Sequence, residues 1–204
     1  FKIDPRWQVG GFYSTDSAKT VGHGFAVFFN EEDIGGQEHV WKYEISWRPS
    51  DRFSALFQLN YINRTDWLLH QSGRDFTTYK AEFWQPELEL DYFLTAKQQF
   101  RITAQWVGIK AFERDRWQVP AGDGSLIPDT APVTDTRDFS ISRLVFQARY
   151  RWEIAPLSDL FVVYTRGSNL PNSPEESFSN LFHDSWTNRA VDVFVIKLRY
   201  RLGN

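Results

Sequence analysis

The chain has 204 residues, with 23 Lys and Arg against 26 Asp and Glu, and its formal net charge is −3. This length suits one domain or part of a larger one, and the near-neutral charge excludes a generally basic nucleic-acid-binding protein. Because Cys is absent, disulfide scaffolds, thiolate zinc sites and cysteine nucleophiles are excluded as well.

Aromatic residues are abundant although the chain is polar on average. There are 18 Phe, 9 Trp and 8 Tyr, yet the mean hydropathy is −0.47. The longest uninterrupted apolar runs, 25–29 and 160–164, have only five residues, whereas a transmembrane helix needs about 20. We therefore expect no membrane-spanning helix, and the aromatic residues must be separated from the polar ones in another way.

Alternation of apolar and polar residues recurs along the chain and predicts about eight strands, some of them weakly marked. In the clearest segment, apolar residues from Trp41 to Trp47 alternate with polar residues from Lys42 to Arg48. In chain order, the segments that carry this pattern are 6–14, 22–30, 41–48, 53–61, 77–93, 99–106, 143–152, 160–166 and 194–202.

The segment 77–93 changes phase in its middle. The apolar residues from Tyr79 to Phe83 have odd numbers, whereas those from Leu88 to Tyr92 have even numbers. Pro86 lies between the two sets and cannot donate a ladder hydrogen bond. We interpret the change as a β-bulge that restores one apolar face; the alternative is two short strands joined by a bend.

The connections between the predicted strands alternate in length. Short ones are expected at 49–51, 95–97 and 155–159, and long ones at 66–76, 113–138 and 167–188. Short turns at one end of a sheet and long loops at the other are typical of bacterial outer-membrane barrels. The pattern predicts an all-β fold, an antiparallel up-and-down transmembrane β-barrel.

The strands predict either a single barrel domain over 1–204 or the C-terminal part of a larger barrel. The start at Phe1, without Met, favours the second. In a membrane barrel the apolar side chains face lipid and the polar ones face the lumen, and aromatic rings concentrate at the two bilayer interfaces. A soluble sheet would place the same two faces the other way round.

These rules assign two sets of side chains. The predicted lumen-lining residues are Lys42, Glu44, Arg48, Glu87, Glu89, Asp91, Arg101, Gln105, Arg143, Arg149, Arg151, Lys197 and Arg199. The predicted lipid-facing aromatic residues are Trp41, Tyr43, Trp47, Phe53, Phe57, Tyr61, Phe100, Trp106, Phe146, Tyr150, Trp152, Phe194 and Tyr200.

Catalytic chemistry has little support in the sequence. The four His residues form no pair at metal-ligand spacing. The cluster from His183 to Ser185 lies in a predicted loop, where adjacent side chains point in different directions, so it does not predict a triad. We expect no enzyme activity, no catalytic or metal site and no cofactor.

The second half of the chain resembles a known bacterial family. In 149–167 a polar strand ends at Trp152, a turn with Pro156 follows, and an apolar strand ends at Arg166; the segments 43–53 and 194–200 have the same hairpin style. This looks like the C-terminal barrel of a family of unknown function that often carries an N-terminal carbohydrate-binding-like (family 9-like) module. One departure is the last residue, Asn204, because such barrels commonly end in an aromatic residue.

The resemblance implies a bacterial outer membrane location, with outer-membrane lipid and other subunits of a membrane complex as partners, and no nucleic acid. The first functional prediction is passage or surface binding of a polar solute through a charged lumen and long extracellular loops. The first alternative is a non-conducting structural barrel that anchors an exported domain or a protein partner. The second alternative is a soluble lipocalin-like binding protein.

Overall fold

A computed structural model describes residues 5–16, 18–122, 124–131 and 135–202. In chain order the elements are β1 (Gln8–Ser14), β2 (Val21–Glu31), β3 (Gln37–Ser50), β4 (Phe53–Ser72), β5 (Asp75–Thr95), β6 (Gln98–Gln118), β7 (Ile127–Pro128), β8 (Phe139–Ala155), β9 (Ser158–Leu170), α1 (Phe178–Thr187) and β10 (Val191–Arg199).

The strands form one antiparallel sheet in up-and-down order. Each strand pairs with the strands before and after it in the chain, except around β7. There β8 pairs with β6, and the two-residue β7 pairs with the end of β6 that extends beyond β8. The all-β, antiparallel prediction is therefore confirmed. The "turn end" of the sheet carries the connections 15–20, 51–52, 96–97 and 156–157, and the "loop end" carries 32–36, 73–74, 119–138 and 171–190 with α1.

The sheet is open, which differs from the predicted closed barrel. Within the described ranges, the outer edges of β1 and β10 pair with no other strand, and every residue of both strands is exposed. Apart from β7, the sheet has nine strands, counted from β1 to β10. Because neighbouring strands are antiparallel and nine is an odd number, β1 and β10 both run from the loop end to the turn end. They therefore cannot pair with each other in antiparallel fashion.

Several strands are longer than the sequence pattern indicated. The predicted loop at 66–76 is wrong, because β4 continues to Ser72 and joins β5 through Gly73 and Arg74. Gly73 has a φ of +54°, a left-handed conformation that glycine adopts readily and that allows this tight hairpin. The predicted loop 167–188 contains α1, which the sequence analysis did not predict.

The predicted bulge at Pro86 is also wrong. The register of β5 with β4 is constant from the pair Phe53–Tyr92 to the pair Arg64–Ala81, and the shifts occur only beyond it, between Arg64 and Trp67 and between His70 and Ser72. The strand is continuous, so the alternative of two short strands is wrong as well. The odd-numbered and even-numbered apolar residues of β5 therefore point to opposite faces of the sheet.

This change of face gives the loop end its own hydrophobic core. Its buried members and the partly buried residues packed against them lie on β4, β5, β6 and β8: Tyr79, Ala81, Phe83, Ile109, Ala111, Ile62, Trp67, Leu69, Val107, Phe139 and Ile141. We call this set the loop-end core. Together with the charged residues nearer the turn end, it lies on the face named here the polar face.

The polar face is concave at the loop end. Trp67 on β4 and Phe139 on β8 are three strand positions apart, about 14 Å in a flat sheet, yet their ring centroids are 6.1 Å apart. Between them lie the small residues Ala81 and Ala111 on β5 and β6, both buried. Large rings from the outer strands thus close over alanines on the inner strands, and this packing bends the sheet towards the polar face.

Overpacking this core tests the curvature. Ala111 is 0% exposed, so Ala111→Leu has no room for its added methylenes and should destabilise the fold by about 1–3 kcal/mol. The matched control is Ala104→Leu on the same strand, which lies on the opposite face between Leu88 and Phe146 and should change stability little. Thermal unfolding in detergent micelles, followed by circular dichroism, measures both; equal midpoints for the two variants would contradict the packing described here.

Candidate functional site

The register places the two predicted sets of side chains on opposite faces of the sheet. Among the predicted lipid-facing residues, direct cross-strand neighbours are Trp41 and Tyr61 and Phe100 and Tyr150. Among the predicted lumen-lining residues, Asp91, Arg101 and Arg149 are successive neighbours on β5, β6 and β8. Arg48 follows the last regular pair of β3, and Tyr200 follows the end of β10.

The face that carries Trp41 is named the aromatic face, and two rows of rings cross it. The turn-end row consists of Phe53, Tyr92, Phe100 and Tyr150, each paired with the next across β4, β5, β6 and β8. The loop-end row consists of Trp41, Tyr61 and Trp84 on β3, β4 and β5. The rings of Tyr61 and Trp84 are 4.8 Å apart at their centroids.

Between these rows lies a band without charged side chains. On β4, β5, β6 and β8 it contains Ala55, Phe57, Leu59, Pro86, Leu88, Leu90, Ile102, Ala104, Trp106, Leu144, Phe146 and Ala148. We call this set the apolar band. Tyr61 and Phe53 are 61 − 53 = 8 residues apart on β4, which corresponds to about 27 Å along the strand and to about 20 Å across a bilayer at the usual strand tilt.

Just beyond the loop-end row the aromatic face becomes polar. The next row towards the loop end consists of His39, Asn63, Glu82, Lys110 and Ser140, paired in that order across five strands. The change from aromatic to polar side chains occurs between one pleat and the next. The apolar band therefore has a sharp boundary at this end.

Most rings of the aromatic face have no protein cover. Trp41, Trp47, Tyr92 and Trp152 are each between 40% and 47% exposed. Trp106 differs from the expectation of a lipid-facing ring, because it is only 6% exposed and α1 packs over it through Phe178 and Phe182. The packing of α1 against β6 and β8 explains the difference.

The polar face carries a cross-strand network nearer the turn end. Arg101 binds Asp91 through two nitrogens, Nε at 2.9 Å from Oδ1 and Nη2 at 2.7 Å from Oδ2. Gln99 donates a further bond of 2.6 Å to Asp91 Oδ1. On β3 and β4, Gln58 donates to Glu44 at 2.7 Å. Amide and guanidinium groups thus satisfy the carboxylates of Glu44 and Asp91.

Asp159 is a charged centre that the sequence analysis did not single out. It is 1% exposed and binds Arg151 at 3.0 Å and Arg199 at 2.5 Å. It lay within a predicted turn, where an acidic residue is ordinary. The signal that would have found it is its place between two arginine-bearing strands, because adjacent antiparallel strands bring opposite charges together.

Four cations of the predicted lumen-lining set have no carboxylate partner. Among the described residues, Lys42, Arg143, Arg149 and Lys197 form no ion pair, in contrast to Arg101 and Arg151. Arg149 also lies directly opposite Arg101, where like charges repel. Positive charge is therefore concentrated on β8 and β10, and the carboxylates of Glu87, Glu89 and Asp91 occupy β5.

An open groove of about 480 Å³ lies beside β1, mainly on the polar face. Its polar wall includes Lys42, Glu44, Asn60 and Glu87, and Phe12 stands at its rim. Asn60 donates through Nδ2 to Gln85 at 2.8 Å, whereas its Oδ1 has no hydrogen-bond partner among the described residues. The residues that line the groove thus combine charged groups, amides and aromatic side chains.

A buried carboxylate ties the loop between β2 and β3 to β4. Oε2 of Glu32 accepts a 2.6 Å bond from the backbone N–H of Asp66, and Arg64 lies 3.9 Å from Oε1. A Cβ on Gly36 would lie 2.5 Å from Cβ of Asp66, so only glycine fits there. Burial raises the pKa of Glu32 from 4.5 to about 7, although the Asp66 bond and Arg64 oppose the shift.

This raised pKa predicts a pH-dependent stability. The folded state binds the Glu32 proton more tightly than the unfolded state, so stability should fall as the pH rises from 4.5 through about 7. Glu32→Gln should remove that part of the dependence. Thermal midpoints of both proteins in detergent micelles across this pH range measure it; parallel curves for the two proteins would contradict the shift.

No helix in the described part of the chain has the length and apolar character needed to cross a bilayer. Taken together, these features define an all-β protein built on one open antiparallel sheet with an aromatic and a polar face. The chain belongs to the family described as Domain of unknown function (DUF5916), whose model matches residues 1–203. No curated protein and no solved structure matches the chain.

Proposed function

We propose that this sheet is part of the wall of a bacterial outer-membrane β-barrel that passes or binds a polar solute on its polar face. The observation that carries the proposal is the apolar band between two aromatic rows, with a polar row directly beyond it. Transmembrane barrels have such an outward apolar band, about 25 Å tall and flanked by aromatic girdles.

The exposure of the aromatic face favours lipid as its cover. A soluble half-buried sheet packs its apolar face against a second layer, but in the described chain only α1 lies on this face, over Trp106 and Leu144. Trp41, Trp47 and Trp152 stay exposed. This argues against the soluble lipocalin-like alternative, in which these rings would lie inside.

The open edges favour a barrel larger than this sheet. Unpaired backbone groups cost several kcal/mol each at lipid depth, so both edges must be paired in a membrane. Because β1 and β10 run in the same direction, an antiparallel wall needs an odd number of further strands between them. This agrees with the even strand numbers of single-chain bacterial barrels. The upstream carbohydrate-binding-like module stays a prediction.

The charge pattern of the polar face supports binding of a polar solute between the cations on β8 and β10 and the carboxylates of Glu87 and Glu89 on β5. Arg143, Arg149 and Lys197 would face the water of the lumen without a carboxylate partner, whereas Asp91 is already neutralised by Arg101. Unpaired charged rows in a pore act as an electrostatic filter. The groove beside Lys42 and Asn60 offers a second, less charged surface for a polar molecule.

A specific observation favours the non-conducting alternative. The loop-end core fills the concave side of β4 to β8 with Trp67, Tyr79 and Phe139, whose rings meet across the sheet. In a barrel these rings would occupy part of the lumen at the loop end. A barrel narrowed in this way would anchor a domain or partner without conducting.

Introducing a charged side chain on each face of the sheet in turn tests the membrane location. Leu88 lies at the centre of the apolar band, where an Arg facing lipid costs about 2–4 kcal/mol. We expect Leu88→Arg to reduce strongly the heat-modifiable protein in the outer-membrane fraction of a Gram-negative host. The control is Thr103→Arg on the polar face beside Glu89, which should leave the amount near wild type. Equal amounts of the two variants would overturn the proposal.

Single-channel recording in planar bilayers separates passage from anchoring. Neutralising Arg149 and Lys197 to Gln should lower the preference for anions over cations, because two unpaired charges are removed. The double variant Asp91→Asn with Arg101→Gln removes a neutralised pair and should leave selectivity unchanged. If the variant without Arg149 and Lys197 conducts with the same selectivity as the variant without Asp91 and Arg101, the electrostatic filter is refuted. If the wild-type protein gives no conductance steps, the result supports the anchoring barrel instead.

A further inference from the structure

Helix α1 lies where the loop-end aromatic row has no ring of its own. The row runs through Trp41, Tyr61 and Trp84, but its next positions on β6 and β8 are Gly108 and Ser142. A Cβ on Gly108 would be 2.3 Å from the indole of Trp106, so this ring lies directly over the glycine. The small residues make room for the Trp106 ring and for the helix above it.

The helix covers polar groups that would otherwise break the apolar surface. Ser142 Oγ accepts a bond of 3.1 Å from Trp106 Nε1 and donates one of 2.7 Å to the carbonyl of Leu181. Arg166, which lies level with Phe146 on β9, donates to the carbonyls of Trp186 and Thr187 at the end of α1. A helix C-terminus is a favourable place for a cation.

The side chains of α1 divide into three sectors at 3.6 residues per turn. Leu181 and Ser185 point into the sheet and are 0% exposed. One flank carries Phe182 and Trp186, which contact Trp106 and Phe146 of the apolar band at centroid distances of 5.4 and 5.5 Å. These two rings are nevertheless 44% and 41% exposed. Asn180 lies on the opposite flank.

We propose that α1 is docked on the outer wall so that its exposed flank contacts lipid, with Phe182 at the boundary between headgroups and acyl chains and Trp186 deeper, at the level of Phe146. This inference rests on the proposed membrane location. It follows from continuity, because Phe182 packs on Trp106, whose ring fills the gap in the loop-end row at Gly108, and Trp186 packs on Phe146 within the apolar band. Amphipathic helices bind bilayers in this orientation, with aromatic residues on the buried side.

The absence of Cys allows single-site probes in the full chain. Phe182→Cys and Trp186→Cys, each labelled with an environment-sensitive fluorophore, report on the exposed flank of α1 in phospholipid vesicles. Asn180→Cys is the control on the opposite flank, and Leu88→Cys reports independently on the centre of the apolar band. Lipids with a nitroxide near the headgroup or deep in the acyl chain serve as quenchers.

The inference expects a blue shift and loss of fluorescence at both 182 and 186, with the shallow quencher more effective at 182 and the deep quencher more effective at 186, and much weaker loss at 180. Position 88 should respond to the deep quencher. If position 88 is quenched while 182 and 186 behave like 180, the membrane location stands and the role of α1 is refuted. If none of the four positions is quenched, the membrane location itself fails, and the inference with it.

Discussion

The constant register along the central parts of the antiparallel pairs from β3 to β8 is the constraint on which both faces of the sheet depend. Where the register is constant, the face of a side chain is decided by whether its number is odd or even. In β5 the apolar residues change from odd to even between Phe83 and Leu88 without any shift of register. The same strands therefore build an outward apolar surface near the turn end and an inward core near the loop end.

Much of this arrangement can be predicted from the sequence, because period-two alternation is a local property. The segments around Trp41, Phe57 and Phe146 occupy the expected strands. The short turn at Pro156 lies within the expected range, whereas Pro49 belongs to β3 and the turn follows it at 51–52. The interpretation of 77–93 was wrong because it assumed a single apolar face along the whole strand. Only the pairing with β4 and β6 shows that a strand of 21 residues serves two environments.

The remaining parts could not be predicted because they depend on distant partners or on weak local signals. The residues 66–72 look like a loop, since they are polar on average, and they form a strand because β5 continues beside them. A signal for α1 was present: Ser177 caps the helix at Asn180 N, and Phe178, Leu181 and Phe182 have helical spacing. Which of the polar-face cations keep a carboxylate depends on register, as for Asp91 and Asp159.

The shared direction of β1 and β10 also limits how copies of this sheet can associate. In the proposed membrane barrel, a rotation about the barrel axis would bring β10 of one copy beside β1 of the next in parallel orientation, unlike every other pair in the sheet. A two-fold axis perpendicular to the wall would pair like edges in antiparallel fashion, but it would invert one copy across the bilayer. Symmetric self-association therefore gives no antiparallel cylinder whose copies share one topology in the membrane.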